Sequence, residues 1–337
     1  MKQILNSITI VLLLTISCLN SISANGINSK FNNKSNVDIK TLSRTYGYIK
    51  GQQFTLDRIK KEYPELKLEV ERCELEFSLS FKNAYERIEN NFKDLLGNEF
   101  KSYENKMMSE LTKMLNSQEI TKQLSLDFIE DVKFRAKGNI ESPVLETLLT
   151  FQYMNSPSKE ISEGFVSRYT TKGHSKTKGV TIDAKLPLSW KQKEGTRPNV
   201  IQKFVSENGK GQEIILFMVK DLGLPNDYII TKDELNEFFT ANELKQMIPD
   251  GSEFISAKKI TLDRQIGGQM IFKTTQERLD FSITMKSIHF ITIYEGKMVF
   301  LQCMVSAEEG EDLDERFNLF LPLFRQVANS LILMDQY

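Results

Sequence analysis

The spacing of apolar residues changes from a helical to an extended repeat about halfway along this 337-residue chain. In the first half, Phe77, Phe81 and Ala84 open a series at steps of three or four residues, which is the repeat of a helix with one apolar face. In the second half, apolar and polar residues alternate, as over residues 180–184, which is the repeat of a strand. The change predicts two domains of different class.

Successive helical runs are predicted in residues 46–157. Turn-forming residues separate them at Gly97, Asn116 and Gly138, and the last run begins with a serine followed by a proline at Ser142, a pair typical of a helix start. Each run has one apolar stripe and a charged opposite face. The helices are therefore expected to pack on one another as a bundle.

Residues 179–337 are predicted to form an antiparallel sheet accompanied by helices. Tight turns such as Glu295-Gly296 separate the strands. Thr231 is followed three residues later by a glutamate, which is the signature of a helix start. The last strand, residues 298–305, is apolar on both faces, so helices must cover the face that the rest of the core does not. The chain is thus predicted to be an α+β protein with an N-terminal helical bundle.

Polar and turn-forming segments separate the predicted parts. Residues 25–45 carry few large apolar side chains and are expected to form a flexible leader. The boundary between the domains falls either in residues 155–158 or in residues 172–179, because turn formers cluster at both places. Residues 158–178 are expected to form a linker.

The first 24 residues are typical of an export signal. A lysine at position 2 precedes an apolar stretch over residues 8–19, which is shorter than the roughly 20 residues that cross a bilayer. Cleavage is expected after Ala24, and the mature protein is then expected to be periplasmic or extracellular. A lipoprotein signal is the second interpretation, in which Cys18 carries a lipid anchor. The mature chain has no second long apolar stretch and is expected to lack a transmembrane helix.

Two cysteines, Cys73 and Cys303, stand one in each predicted domain. In an oxidising compartment they could pair across the domains. Two separate buried thiols are favoured, because free cysteine is among the most buried residue types.

The C-terminal half begins with a proline-small-tryptophan strand end, LPLSW at residues 186–190, and closes with a helix that ends in VANSLIL. Between them lie a strand hairpin, a helix and a four-strand meander. This order, over about residues 178–333, resembles the PsbP family of photosystem extrinsic subunits, the related Ran-binding nuclear import factors and uncharacterised bacterial secreted proteins with that fold. The resemblance implies an αβα sandwich built on an antiparallel sheet, and a function in binding protein partners rather than in catalysis. The helical domain lies outside it.

Few residues point to catalysis. The two histidines, His174 in a loop and His289 amid a strand, do not stand at metal-binding spacing. The glycine-flanked serine of hydrolases and the phosphate-binding glycine-lysine loop are missing from the sequence, so neither a metal nor a cofactor is expected. Carboxylates stay open as acid-base candidates, because they carry no sequence signature. The candidates are Glu207, Asp221, Asp263 and Glu277.

Six acidic residues stand among residues 308–315, EEGEDLDE. Calcium binding is one interpretation, but the alternating Asp or Asn and the central glycine of a calcium loop are missing. A helix start is favoured, because acidic side chains there are stabilised by the helix dipole.

Charge is unevenly distributed in a chain whose formal charge is −1 at pH 7. Residues 168–210 contain ten lysines or arginines and three acidic residues, whereas residues 221–253 contain eight acidic residues and two lysines. The near-neutral total argues against a nucleic-acid partner. Either the two segments segregate and orient docking on a charged partner, or they neutralise each other across the fold.

Trp190, the only tryptophan, is interpreted as a plug at one end of the sandwich core rather than as a ligand-stacking platform. The basic loop after it is expected to lie at the same end and to form a docking edge. Residues of the basic loop before the first strands are further partner-binding candidates. The candidate partner-binding residues are Lys172, His174, Lys176, Lys191, Lys193, Arg197 and Asn199.

The favoured function is an exported, non-catalytic binding or accessory protein that docks a protein partner in the cell envelope. The alternative is a secreted enzyme that uses carboxylate or lysine side chains in an interdomain cleft. A small-molecule carrier is a third hypothesis, which requires a dry cavity in the sandwich.

Overall fold

The computed structural model describes residues 38–117, 119–225, 228–278, 281–307 and 312–337. The chain divides into two compact units, Met1–Tyr153 and Met154–Tyr337. The export signal and Cys18 lie outside the described residues. In the part of the chain that the structure describes, no helix is both long and apolar enough to cross a membrane.

The described residues of the first unit form helices joined by short connections, without a strand. Asp38 starts the first helix, because its side chain accepts a hydrogen bond from the backbone N–H of Thr41 at 2.8 Å. Thr121 caps the fourth helix in the same way. The helices are α1 Ile39–Glu62, α2 Lys67–Leu96, α3 Phe100–Asn116, α4 Lys122–Ala136 and α5 Val144–Tyr153.

The core of this unit follows the predicted apolar stripe. The buried residues of α2 recur at steps of three or four and include Phe77, Phe81 and Ile88. The structure differs from the predicted leader over residues 39–45, which belong to α1. They are helical because Leu42 and Tyr46, one turn apart, are fully buried in the bundle.

The second unit contains two antiparallel sheets. The large sheet has seven strands in the order β3-β4-β5-β9-β8-β7-β6, and the small sheet has three in the order β1-β2-β10. The strands are β1 Val166–Thr170, β2 Ile182–Pro187, β3 Lys191–Glu194, β4 Val200–Val205, β5 Glu213–Asp221, β6 Glu253–Leu262, β7 Gln265–Arg278, β8 Phe281–Tyr294, β9 Lys297–Ser306 and β10 Ile332–Leu333. The helices are α6 Ser158–Ser162, α7 Lys232–Phe238, α8 Ala241–Gln246 and α9 Leu313–Asn329.

Layers of structure cover both faces of the large sheet. On one face, α9 and the small sheet enclose a core that includes Phe217, Leu301 and Phe324. On the other face, α7 and α8 pack beside Phe300 and other residues of the β7–β9 strands. Helices therefore lie on both sides of an antiparallel sheet, as the resemblance implied, and the predicted α+β class is confirmed.

Gly268 on β7 allows α8 and the residue after α7 to approach the sheet closely. A Cβ atom at this position would lie 2.6 Å from Cδ2 of Leu244 and 2.9 Å from Cδ1 of Phe239. Both of those side chains are fully buried. Any larger residue would push the helices away from the sheet.

The predicted linker, residues 158–178, contains α6 and β1 as well as a loop. It is structured because Tyr169 packs edge-on against Phe204 of β4, with 5.1 Å between the ring centres, and Ile161 packs against the same core. The turn formers at residues 172–179 connect β1 to β2 inside the domain. The division between the units lies next to residues 155–158, the first of the two predicted positions.

Glu160 of α6 is a buried carboxyl that holds the turn before Trp190. It accepts hydrogen bonds from the backbone N–H of Ser189 at 2.7 Å and from its hydroxyl at 2.8 Å. Burial raises the pKa of Glu160 to about 7, because the low-dielectric core disfavours the charged form.

Glu160 is expected to make the domain less stable as pH rises from about 4.5 to about 7. Over that window the folded state holds a proton that the unfolded state has lost, so the free energy of unfolding falls with pH. Replacing Glu160 by glutamine should flatten this dependence. Urea unfolding across that range would measure it, and an equally steep dependence in the Glu160→Gln variant would contradict the assignment.

Candidate functional site

The predicted partner-binding residues fall into two groups at opposite ends of β3. Lys191 and Lys193 lie over the tight turn at residues 206–209. The ammonium of Lys193 donates to the carbonyl oxygen of Gly209 at 2.6 Å, and a Cβ on that glycine would come within 2.9 Å of Cδ of Lys191. The strand then leads away from the turn, so Arg197 and Asn199 lie beyond its other end. Arg197 and Asn199 therefore do not share the end of Trp190, contrary to the expectation, whereas Lys191 directly follows Trp190.

The second group ties the loop before β2 to the loop after β3. Lys176 pairs with the carboxylate of Glu194 at 3.3 Å and donates to the backbone carbonyl oxygens of Gly195 and Val200. Lys178 donates to the side-chain oxygen of Asn199 at 3.1 Å. These polar groups hold two loops of the domain together.

His174 has a defined tautomer in this group. Its Nδ1 accepts the backbone N–H of Lys176 at 3.2 Å, so its Nε2 carries the proton and donates to the carboxylate of Glu194 at 3.1 Å. Hydrogen bonds from His174 and Lys176 lower the pKa of Glu194 below its ordinary value. Both ring nitrogens are therefore used within the domain.

Three pairs of cations face each other directly across neighbouring strands of the described chain. One is Lys273 of β7 with Lys286 of β8. Lys193 of β3 lies opposite Lys203 of β4, and Arg168 of β1 lies opposite Lys185 of β2. Like charges in this arrangement destabilise an antiparallel pair by roughly 0.2 to 1 kcal/mol. The Lys193–Lys203 pair concentrates positive charge at the β3–β4 edge of the large sheet, where it would attract an anionic surface.

The Lys193–Lys203 pair borders an apolar area on the face of the large sheet that α7 and α8 partly cover. Lys203 lies opposite Leu216 of β5, and two residues along, Ile214 lies opposite Met304 of β9. The helices α7 and α8 pack over the β6 and β7 side of this face, and these three apolar side chains stay partly exposed. Exposed apolar surface rimmed by charge is a common feature of interaction sites.

We call this surface the docking face. Its lysines line one edge and its apolar residues the centre, on three adjacent strands and β9. Sequence reasoning identified two of its lysines but missed its other residues, because only the strand register shows which side chains share a face. The docking face comprises Lys191, Lys193, Lys203, Ile214, Leu216 and Met304.

The candidate catalytic carboxylates lie in separate places. Asp263 accepts hydrogen bonds from the backbone N–H of Leu333 at 2.6 Å and from the hydroxyl of Tyr337 at 2.8 Å, so it anchors the C-terminal residues. Glu207 stands in the tight turn before β5, Asp221 at the end of that strand, and Glu277 on β7. Among the described residues, no group of three or more His, Cys, Asp or Glu side chains could hold a metal ion.

Burial makes the side chains of His289, Cys73 and Cys303 unreactive. Burial lowers the pKa of His289 to about 3, so its ring is neutral at pH 7, and it packs edge-on against Phe272. Cys73 and Cys303 are both buried and neither forms a disulfide, in agreement with the interpretation as separate thiols. Burial raises the pKa of Cys73 to about 11 and also raises that of Cys303.

Part of the acidic run at 308–315 lies outside the described residues. Its Asp312 starts α9, because the side chain accepts the backbone N–H groups of Asp314 and Glu315 at 2.9 and 3.0 Å. This role agrees with the helix-start interpretation.

Comparison with known proteins found similarity in solved structures only. A scan of protein-family models found no match, and a search of curated proteins found none. The chain is similar to cyanobacterial PsbP (CyanoP) from Synechocystis sp. PCC 6803, at 16% identity over 50% of this chain and 92% of that one, with a TM-score of 0.31. It is also similar to LpqN, involved in cell envelope biogenesis of Mycobacterium tuberculosis, at 15% identity over 52% and 96%, with a TM-score of 0.30. CyanoP bears the name of PsbP, the family that the sequence resembles.

Proposed function

We propose that this protein is an exported, non-catalytic binding or accessory protein that docks an acidic protein partner of the cell envelope through its docking face. The observation that carries the proposal is the Lys193–Lys203 pair beside partly exposed Leu216. An acidic surface with an apolar centre would neutralise the two cations and cover the apolar area at the same time. The export signal predicted from the sequence supports a location in the envelope.

The enzyme hypothesis receives no comparable support. Its four candidate carboxylates lie apart, and Asp263 is occupied by the C-terminal backbone. Catalysis by general acids and bases needs the groups within reach of one substrate. We therefore propose a binding function rather than a catalytic one.

Charge reversal on the docking face should separate binding from folding. The Lys193→Glu/Lys203→Glu variant is expected to lose the partner, because it places acidic groups against an acidic surface. Crosslinked capture from envelope extract would measure this. Lys258→Glu, an exposed change on β6 at the opposite edge of the sheet, is the matched control and should capture as well as the unaltered protein.

The single change Lys203→Gln provides a second measurement on the same pair. It should weaken partner binding and yet raise the free energy of unfolding by about 0.2 to 1 kcal/mol, because it removes a like-charge contact. Binding should also weaken with rising salt. Capture that is insensitive both to charge reversal and to salt would refute the proposal.

A further inference from the structure

A cavity of about 620 Å³ opens at the end of the C-terminal domain where β5 meets the β8–β9 turn. Its volume lies within the roughly 300 to 1,000 Å³ of small-molecule sites. The lining comes from the end of β5, the residues that lead to α7, and the turn at Glu295-Gly296. None of these residues belongs to the docking face, and the docking proposal makes no use of the cavity.

The floor of the cavity is apolar. Ile293 belongs to the core beneath α7 and α8, and Ile230 and Leu235 pack against that core. At the mouth, Ile229 is 84% exposed and Tyr228 is 47% exposed. An apolar ligand body would contact the floor and cover part of this exposed apolar surface. Removing that surface from water is favourable.

The rim of the cavity is rich in hydrogen-bond acceptors. Asp221 and Glu295 contribute carboxylates. Gln265 donates its amide N–H to Gln336 at 2.7 Å, and its amide oxygen is a further acceptor group in the lining. Lys297 is the single cation of the lining and donates to the carbonyl oxygen of Glu295 at 3.1 Å. Two carboxylates against one ammonium give the rim a net negative charge, which favours a cationic or N–H-donating group.

Hydrogen bonds hold the walls in place. The Tyr228 hydroxyl donates to the carboxylate of Glu234, which also accepts the backbone N–H and the hydroxyl of Thr231 at 2.7 Å each. On the opposite wall, the backbone N–H of Leu222 donates to the carbonyl oxygen of Gly296 at 3.3 Å. The site is therefore formed before any ligand arrives, which lowers the ordering cost of binding.

We propose that this cavity binds a small amphipathic amine, with its apolar body on the Ile293 floor and its protonated amine at the rim beside Asp221 and Glu295. This open cavity with a charged rim differs from the dry cavity in the sandwich that the small-molecule carrier hypothesis required. The amine head would exchange water for charge-assisted hydrogen bonds to carboxylates. The body would supply the hydrophobic part of the affinity.

The test uses three probes of equal chain length, hexylamine, hexanoate and hexanol, titrated into the full chain while backbone amide signals are followed by NMR. Hexylamine should bind at least about tenfold more tightly than hexanoate, since charged hydrogen bonds of this kind are worth about that factor. The shifts should centre on Gly223 and Gly296. No binding by any probe, or hexanoate binding as tightly as hexylamine, would overturn the proposal.

Variants assign the effect to the cavity. Asp221→Asn/Glu295→Gln should lower the hexylamine affinity about tenfold and leave that of hexanol unchanged, and both altered residues are exposed. Leu224→Trp should fill the cavity and weaken all binding. Glu253→Gln, an exposed acidic residue of β6 outside the cavity, is the matched control and should change nothing. Unaltered hexylamine binding in the Leu224→Trp variant would place the ligand elsewhere and refute the site.

Discussion

Replacing Arg316 by methionine should lower the free energy of unfolding of the C-terminal domain by about 3 to 5 kcal/mol, the usual cost of leaving one member of a buried ion pair without its partner. The side chain of Glu213 is only 1% exposed, and its Oε1 lies 2.5 Å from Nε of Arg316. Without the guanidinium, the buried carboxylate would lose its cationic partner. Urea unfolding followed by the fluorescence of Trp190 would report on this domain, since it holds the only tryptophan.

The surroundings of Glu213 explain why no neighbouring group can replace the guanidinium of Arg316. Its second oxygen takes the hydroxyl of Ser206 at 2.5 Å, and that serine in turn lies against Gly211, where a Cβ would approach its oxygen to 1.9 Å. The turn before β5 is thus built around the carboxylate. No other cation is paired with Glu213 in the part of the chain that the structure describes.

Two further variants test the electrostatic explanation. Arg316→Met/Glu213→Gln should recover part of the lost stability, because the amide oxygen still accepts the Ser206 hydroxyl and no unpaired charge stays buried. Arg325→Met alters an exposed arginine of the same helix and should change stability by no more than about 0.5 kcal/mol. A double variant as unstable as the single one would show that Arg316 acts through packing instead.

The sequence predicted the elements of the fold better than their pairing. The apolar stripe of α2 and the turn at Glu295-Gly296 were readable, because each depends on residues close together in the chain. The predicted leader included residues 39–45, which belong to α1, because Leu42 and Tyr46 stand among polar residues in the sequence. Both side chains are buried by helices that follow much later in the chain. Local composition does not contain that information.

The candidate site depended even more on distant contacts. Lys203 was not predicted as a site residue, since it joins Lys193 only through the β3–β4 register. β3 itself, with sequence KQKE, has no apolar alternation from which a strand could be predicted. Its extent is what places Arg197 away from Lys191. The cavity could not be predicted from the sequence either, because its walls come from segments more than 70 residues apart.

The interpretation of Trp190 as a core residue leads to the last prediction. The side chain is 8% exposed and belongs to the main core of the domain. Its ring packs edge-on against Phe320 of α9, with 6.3 Å between the ring centres. The preceding Ser189 is held by Glu160. A ligand-stacking platform would instead present an open ring face.

Trp190→Ala should therefore lower the free energy of unfolding by about 3 to 5 kcal/mol, as for other large aromatic truncations in cores. Urea unfolding followed by far-UV circular dichroism would measure it, because the variant has no tryptophan. Trp190→Phe keeps an aromatic ring against Phe320 and should lose much less. Partner capture by the folded fraction should be unchanged, since Lys193 and Lys203 lie on the docking face and Trp190 in the core. Lost capture at unchanged stability would instead make Trp190 a contact residue, and the docking surface would then have to extend around the end of β3.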